Sequence, residues 1–114
     1  MADLPLIQGK KPDSEWEVWV AQALYKFDEP FIFQYYLGTG STRGDLIIDF
    51  LLLRFETPME VYGEYHHEDE LPGGDVFRLV DMRDEFGVDP IVLWDDDCKD
   101  YSTVEKFIKR EVLV

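Results

Sequence analysis

Apolar residues recur along this chain at helical spacing in three places and at strand-like spacing between them. After a non-periodic opening that contains Pro5, Gly9 and Pro12, the residues Trp16, Trp19, Val20, Ala23 and Leu24 fall on one side of a 3.6-residue turn. That spacing predicts a first helix over about residues 15–26. Ser14-Glu15-Trp16-Glu17 has the form of a capping box at its start. The aromatic, β-prone run 31–37 predicts a first strand. A glycine- and hydroxyl-rich stretch, 38–44, predicts the turn of a hairpin. Strand two is then expected over 45–55 and strand three over 59–66, joined by a turn at 56–58.

The polar link 67–74 leads to a second helix, with Asp75 as its expected cap and Gly87 as its stop. Val76, Leu79, Val80, Arg83 and Phe86 are its expected inner face. The short apolar run 88–94 reads as a buried fourth strand. Ser102 is the expected cap of a last helix that turns Val104, Phe107, Ile108 and Val112 inward. The order αβββαβα predicts an α/β fold: a single mixed β-sheet of about four strands flanked by helices. Residues 1–13 read as an irregular N-terminal arm that docks through Leu4, Leu6 and Ile7, and residues 14–114 as the domain proper.

Composition narrows the class. A chain of 114 residues with 46% hydrophobic and 15% aromatic content is a globular domain, not a disordered segment. Eleven Lys and Arg against twenty-five Asp and Glu give 11 − 25 = −14. Such a charge repels polyanions and anionic membranes at long range, so any nucleic-acid role must work through metal ions and local basic groups. One cysteine, Cys98, permits no internal disulfide and has no partners at zinc spacing. With no signal-like opening and no membrane-length apolar run, the expectation is a soluble intracellular protein that does not enter the membrane.

The candidate chemistry lies in 44–67, GDLIIDFLLLRFETPMEVYGEYHH. Alternation along a strand puts Asp45, Ile47, Asp49, Leu51 and Leu53 on one face, and Glu60, Tyr62, Glu64 and His66 on one face of the next strand. Paired strands would bring acidic groups together. Asp49 stands amid Leu46, Ile47, Ile48, Phe50, Leu51 and Leu52, where solvation does not explain a carboxylate. A buried charge needs a partner, and a divalent cation is one such partner. Plainer readings compete at other positions. Asp45 reads as a turn residue, Glu17 is equally explained by the capping box, and Arg78 by a salt bridge to one of the many acids. One of His66 and His67 reads as an ordinary exposed histidine. Asp95-Asp96-Asp97 reads as a solvated loop, and Trp16, Trp19 and Trp94 as core.

Asp49-Phe50-Leu51, Gly63-Glu64-Tyr65-His66-His67, Asp75-x-x-Arg78 and Phe86-Gly87, in this order, resemble the PD-(D/E)xK nuclease superfamily. Within it the likeness is to the very-short-patch-repair-like endonucleases and related small phage and bacterial nucleases, loosely over residues 14–112. The resemblance implies a restriction-endonuclease-like fold and hydrolysis of DNA phosphodiester bonds with Mg²⁺ or Mn²⁺. It implies Asp49 as the central metal ligand, Glu64 or Glu60 as the second, and Glu17 as a helper that holds the metal or its water. His66 or His67 would take the place of the superfamily's lysine. That lysine is missing, since Tyr62 stands two residues past Glu60 and His66 two past Glu64. Lys10, Lys11, Arg43 and Arg78 are the candidate phosphate contacts. A homodimer would enlarge the DNA-covering surface. The rival expectation is a catalytically inactive nuclease-fold module whose acidic surface contacts a basic protein partner or mimics DNA.

Overall fold

The computed structural model describes residues 4–38, 46–65 and 68–113. The periodic segments become three helices and four strands: α1 (Glu15–Lys26), β1 (Phe31–Leu37), β2 (Leu46–Leu52), β3 (Thr57–Val61), α2 (Gly73–Phe86), β4 (Ile91–Leu93) and α3 (Tyr101–Glu111). Two single 3₁₀ turns, Glu68–Glu70 and Asp95–Asp97, precede α2 and α3. The strands form one mixed sheet in the order β1-β2-β3-β4, so the expected single-sheet α/β fold is what the chain adopts. β1 and β2 pair antiparallel from Phe31↔Leu52 to Leu37↔Leu46. β2 and β3 pair antiparallel over Phe50↔Met59, Leu51↔Pro58 and Leu52↔Thr57. β3 and β4 run parallel from Met59↔Ile91 to Val61↔Leu93, and α2 is the crossover that a parallel pair requires.

α1 and α3 pack together and close the main core with Val20, Ala23 and Leu24 from one helix and Val104, Phe107 and Ile108 from the other, against Phe33, Phe50, Leu52, Met59 and Leu93 of the sheet. The inward face expected for the last helix is the one observed. Trp16 and Trp19 lie partly buried against this core. A smaller cluster joins Leu46, Ile48 and Met82, flanked by Tyr35, Leu37 and Phe86.

Several boundaries differ from the sequence reading, each for a local reason. β2 stops at Leu52, because Leu53 gives its amide to the Pro30 carbonyl (3.0 Å) and the chain turns over 53–56, with Glu56 at φ 47. β3 ends at Val61; Tyr65 bonds back to the Tyr62 carbonyl (3.0 Å), so Glu64 sits on a turn and not on a strand. Asp75 does not cap α2. The helix starts at Gly73 behind Pro72, whose carbonyl already accepts from the Asp75 amide (2.9 Å), and Asp75 instead places its charge in the first turn. Leu79 and Met82 form the buried face of α2 with Phe86 beside them, while Val80 is 45% exposed and Arg83 reaches out to Asp89. That rotation turns Arg78 toward the sheet. α3 is capped by Asp100, which accepts from Thr103 N at 2.8 Å, and not by Ser102; a carboxylate is the stronger acceptor at a helix start.

The arm is stitched to β1. Ile7 is buried in the core and Leu4 packs on it, whereas Leu6 is 66% exposed. The Gln8 side chain donates to the Phe31 carbonyl (2.8 Å) and accepts from the Phe33 amide (2.7 Å), supplying the edge of β1 with the partner a neighbouring strand would provide. Among the described residues no helix is long and apolar enough to cross a membrane.

Candidate functional site: an acidic fork between two strands

The β2–β3 ladder ends at Phe50↔Met59. One step outward stand Asp49 and Glu60, and there side chains replace the backbone ladder. Asp49 N donates to Glu60 Oε2 (2.7 Å), and Val61 N donates to Asp49 Oδ2 (3.0 Å). Two carboxylates are thus wedged into a fork between splayed strands. The opposite edge of β2 is irregular at the same step. Gln34 has φ 50 and lies between the paired positions Phe33↔Phe50 and Tyr35↔Ile48. A non-glycine residue in the left-handed region costs roughly 1–3 kcal/mol and needs outside support. It has that support, because its side-chain Nε2 donates to the Lys11 carbonyl (2.9 Å) and its backbone carbonyl takes Lys10 Nζ (3.0 Å).

Glu60 is fully buried. Its Oε1 accepts from Arg78 Nε (2.7 Å) and stands 3.5 Å from the Tyr62 hydroxyl. Arg78 also donates to the Ile47 carbonyl on β2, so one guanidinium spans both prongs of the fork. Glu17, 5% exposed at the start of α1, accepts the Asp13 amide (2.9 Å), and the Ser14 hydroxyl takes the Glu17 amide (3.4 Å). The capping box is therefore displaced by one residue, and the carboxylate that completes it also faces the fork.

The charges do not balance. Burial, and then the charge of Asp49, pushes the Glu60 carboxyl up to about 8 against the pull of Arg78. Burial also raises Asp49 and, joined by the charge of Asp49, lifts Glu17 to about 7. Tyr62 is raised by burial and by the neighbouring Glu60 charge. Burial disfavours the Arg78 cation, but Glu60 more than offsets this and raises it. One guanidinium faces the Asp49 and Glu60 carboxylates, with Glu17 close to Asp49, so the site carries more acidic groups than it has cations to offset them.

A cleft of about 540 Å³ opens over these groups, between the start of α1, the end of β3 and the first turns of α2, with Asp13, Trp16, Glu64 and Asp75 on its walls. Its wall is tight at one point: a Cβ on Gly63 would lie 2.7 Å from Trp16 Cδ2, so only glycine lets the turn after β3 lie against α1. A second depression of about 430 Å³ adjoins it, shares Asp13, Asp49 and Arg78, and adds Lys11, Gln34 and Ile47. Another hollow, about 460 Å³ between α2 and β4, is lined by Leu79, Val80, Pro90, Val92 and Trp94 with the Arg83–Asp89 pair, and none of the candidate residues lies in it.

The structure thus joins Asp49, Glu60, Glu17 and Arg78. Glu64 stands exposed at the cleft wall. Lys10 is pinned to the carbonyls of Phe33 (2.8 Å) and Gln34 (3.0 Å) and lines neither the cleft nor the depression beside it. Asp45, Arg43, His66 and His67 lie outside the described residues. Sequence reasoning passed over Asp13 and Gln34, and took Trp16 as core only, not as a wall of the cleft. The position of Asp13 just before the helix cap was the one available signal, and nothing local marked Gln34.

Among the described residues no group of three or more His, Cys, Asp or Glu side chains is arranged to hold a metal ion. The Asp49–Glu60 pair has the donor chemistry that Mg²⁺ or Mn²⁺ takes, hard carboxylate oxygens beside an open cleft, although both Glu60 oxygens already accept hydrogen bonds, from the Asp49 amide and from Arg78. Compared with protein-family models, with curated proteins and with solved structures, the chain matches none.

Proposed function

We propose that this chain is a metal-dependent DNA endonuclease of the restriction-endonuclease-like, PD-(D/E)xK type. The observation that carries the reading is the pair of carboxylates, Asp49 and Glu60, wedged into the opened end of the β2–β3 ladder with more negative charge than Arg78 neutralises. Asp49 and Glu60 would hold Mg²⁺ or Mn²⁺, which supplies an activated water and neutralises charge on the reacting phosphate. Glu60 is favoured over Glu64 as the second ligand because it meets Asp49 directly, while Glu64 is exposed on a turn.

The chain's own groups supply the rest. Glu17, poised near 7, takes or returns a proton at its carboxylate close to the fork at neutral pH. Arg78 and Lys11 line the adjoining depression, where they would position a phosphate. His66 or His67 would stand in for the missing lysine, and Tyr62 holds the position two past Glu60 with its hydroxyl turned to that carboxylate. The net charge of −14 makes productive contact with DNA depend on the metal.

Nicking of supercoiled plasmid in Mg²⁺ or Mn²⁺ is the direct test, with duplex, mismatched and branched substrates alongside. Asp49→Asn should abolish it without loss of the fold; cleavage at the parent rate by that variant, or none by the parent on any substrate, refutes the reading. One observation favours a second reading. Arg78 already neutralises Glu60 in part, as it would in an inactive module whose acidic surface meets a basic protein or mimics DNA. Calorimetry with Mn²⁺ separates the two, because only the nuclease needs Asp49-dependent metal binding.

A further inference from the structure

Both oxygens of Glu60 are occupied. Oε2 belongs to the sheet, through the amide of Asp49, and Oε1 is held by Arg78. A metal ion that ligates Glu60 without tearing the fork open must use Oε1, and so must take it from the guanidinium. Arg78 is well placed to give way. It is borne by α2 and not by the sheet, its side chain is 26% exposed, and its outer nitrogen already reaches Ile47 on the rim of the depression lined by Lys11.

Resting on the metal-dependent reading above, we propose that Arg78 fills the cation position of the fork in the metal-free protein, that a divalent ion takes Glu60 Oε1 from it, and that the freed guanidinium turns into the depression beside Lys11 and holds a nucleic-acid phosphate. Electrostatics gives the exchange its order. The Asp49 and Glu60 carboxyl groups and one guanidinium leave the fork neutral at most, which gives a phosphate no attraction. A divalent ion makes the fork net positive and releases a fork-shaped donor that suits a phosphate bidentately. Metal binding therefore precedes and creates the phosphate site, and the chain does not attract polyanions in its absence. Arg78 in this sense holds the metal's place until the ion arrives and then contacts the phosphate.

The test is Mn²⁺ titration of the full chain as wild type, Arg78→Met and Arg78→Lys, followed by binding of a short DNA duplex with and without Ca²⁺. Arg78→Met should bind Mn²⁺ more tightly, by about tenfold or more, because it removes a like charge from the ion's own position, and should lose the gain in DNA affinity that Ca²⁺ gives the wild type. Arg78→Lys, with one point of contact in place of two, should fall between. A residue that merely braces the site would give weaker metal binding when removed. Equal or weaker Mn²⁺ binding by Arg78→Met, or a retained Ca²⁺-dependent gain, overturns the exchange.

Should the variants fail to fold, the wild type decides alone. The Arg78 Nε–H NMR signal should shift in step with Mg²⁺ saturation, and a signal that stays fixed while metal saturates overturns the proposal. A wild type that binds no divalent metal removes the nuclease reading and the exchange together. One that binds metal with Arg78 unmoved removes only the exchange.

Discussion

Replacing Asp49 with Asn should raise the stability of the metal-free protein at pH 8, even though Asp49 is the residue on which activity is expected to depend. Asn keeps an acceptor for the Val61 amide, and its own amide can donate to Glu60 where a carboxylate repels it. Two like charges at about 4 Å repel by about 4 kcal/mol at an effective dielectric near 20. The attraction between Asp49 and Arg78 is lost in the same substitution, which leaves a net gain of about 1–2 kcal/mol. For a domain of this size that corresponds to roughly 4–8 °C in Tm.

The pH dependence fixes the sign independently. Glu60 and Glu17 have folded-state values pushed up to about 8 and about 7 from 4.5. The folded protein thus binds these protons more tightly than the unfolded chain. Their stabilising contribution is complete below about 4.5 and is lost as pH rises through the folded values. Asn at position 49 lowers both folded values, so its advantage should be small at pH 5 and full at pH 8. Circular-dichroism melts at the two pH values provide the measurement. A variant that melts below the wild type at pH 8, or one whose offset is the same at both pH values, refutes the over-charged fork. Added Mg²⁺ should raise the wild-type Tm and leave the variant nearly unchanged.

Metal affinity should strengthen as pH rises from 6 to about 8, by up to tenfold per unit for each proton released, because Glu60 must lose its proton to ligate; calorimetry in buffers of different ionisation enthalpy reads the proton count directly, and pH-independent binding with no proton release would count against Glu60 as a ligand. Gly63→Ala should cost about 1–3 kcal/mol, since the added methyl meets the Trp16 ring at 2.7 Å; denaturant unfolding with tryptophan emission as the probe should show both the loss and a shifted native spectrum, and an unchanged midpoint would mean that the ring yields freely. Gln8→Ala removes both side-chain bonds along the β1 edge and should cost about 1–2 kcal/mol. The uncovered edge should also speed aggregation on warming, seen by light scattering.

The local pattern carried much of the architecture. Helical spacing of Trp16, Val20, Ala23 and Leu24 marks α1 without ambiguity, and Val104, Phe107, Ile108 and Val112 do the same for α3, because a single apolar stripe has one way to face a core. An isolated carboxylate among six aliphatic and aromatic neighbours was enough to single out Asp49. Local sequence could not choose between Glu60 and Glu64, which share a strand phase. The choice depends on where β3 stops, and β3 ends where its parallel pairing with β4 ends, at Val61↔Leu93. Asp75 and Ser102 have the chemistry of helix caps, but helix starts are fixed by chain geometry, at Pro72 and at Asp100.

By itself, then, the sequence determined the class of fold, the inward faces of α1 and α3, and the presence of a carboxylate that solvation does not explain. Tertiary structure alone decided that the β2–β3 ladder opens at Asp49 and Glu60, where carboxylates take the place of backbone partners, and that Gln34 of β1, at positive φ, stands across from Asp49 on the other edge of β2. It also decided that Arg78 reaches both prongs of the fork, which follows from the rotation of α2 about its Leu79–Met82 face. Periodicity reports which side of an element is apolar; which charges meet across elements depends on register and rotation, and these are settled only when the whole sheet closes.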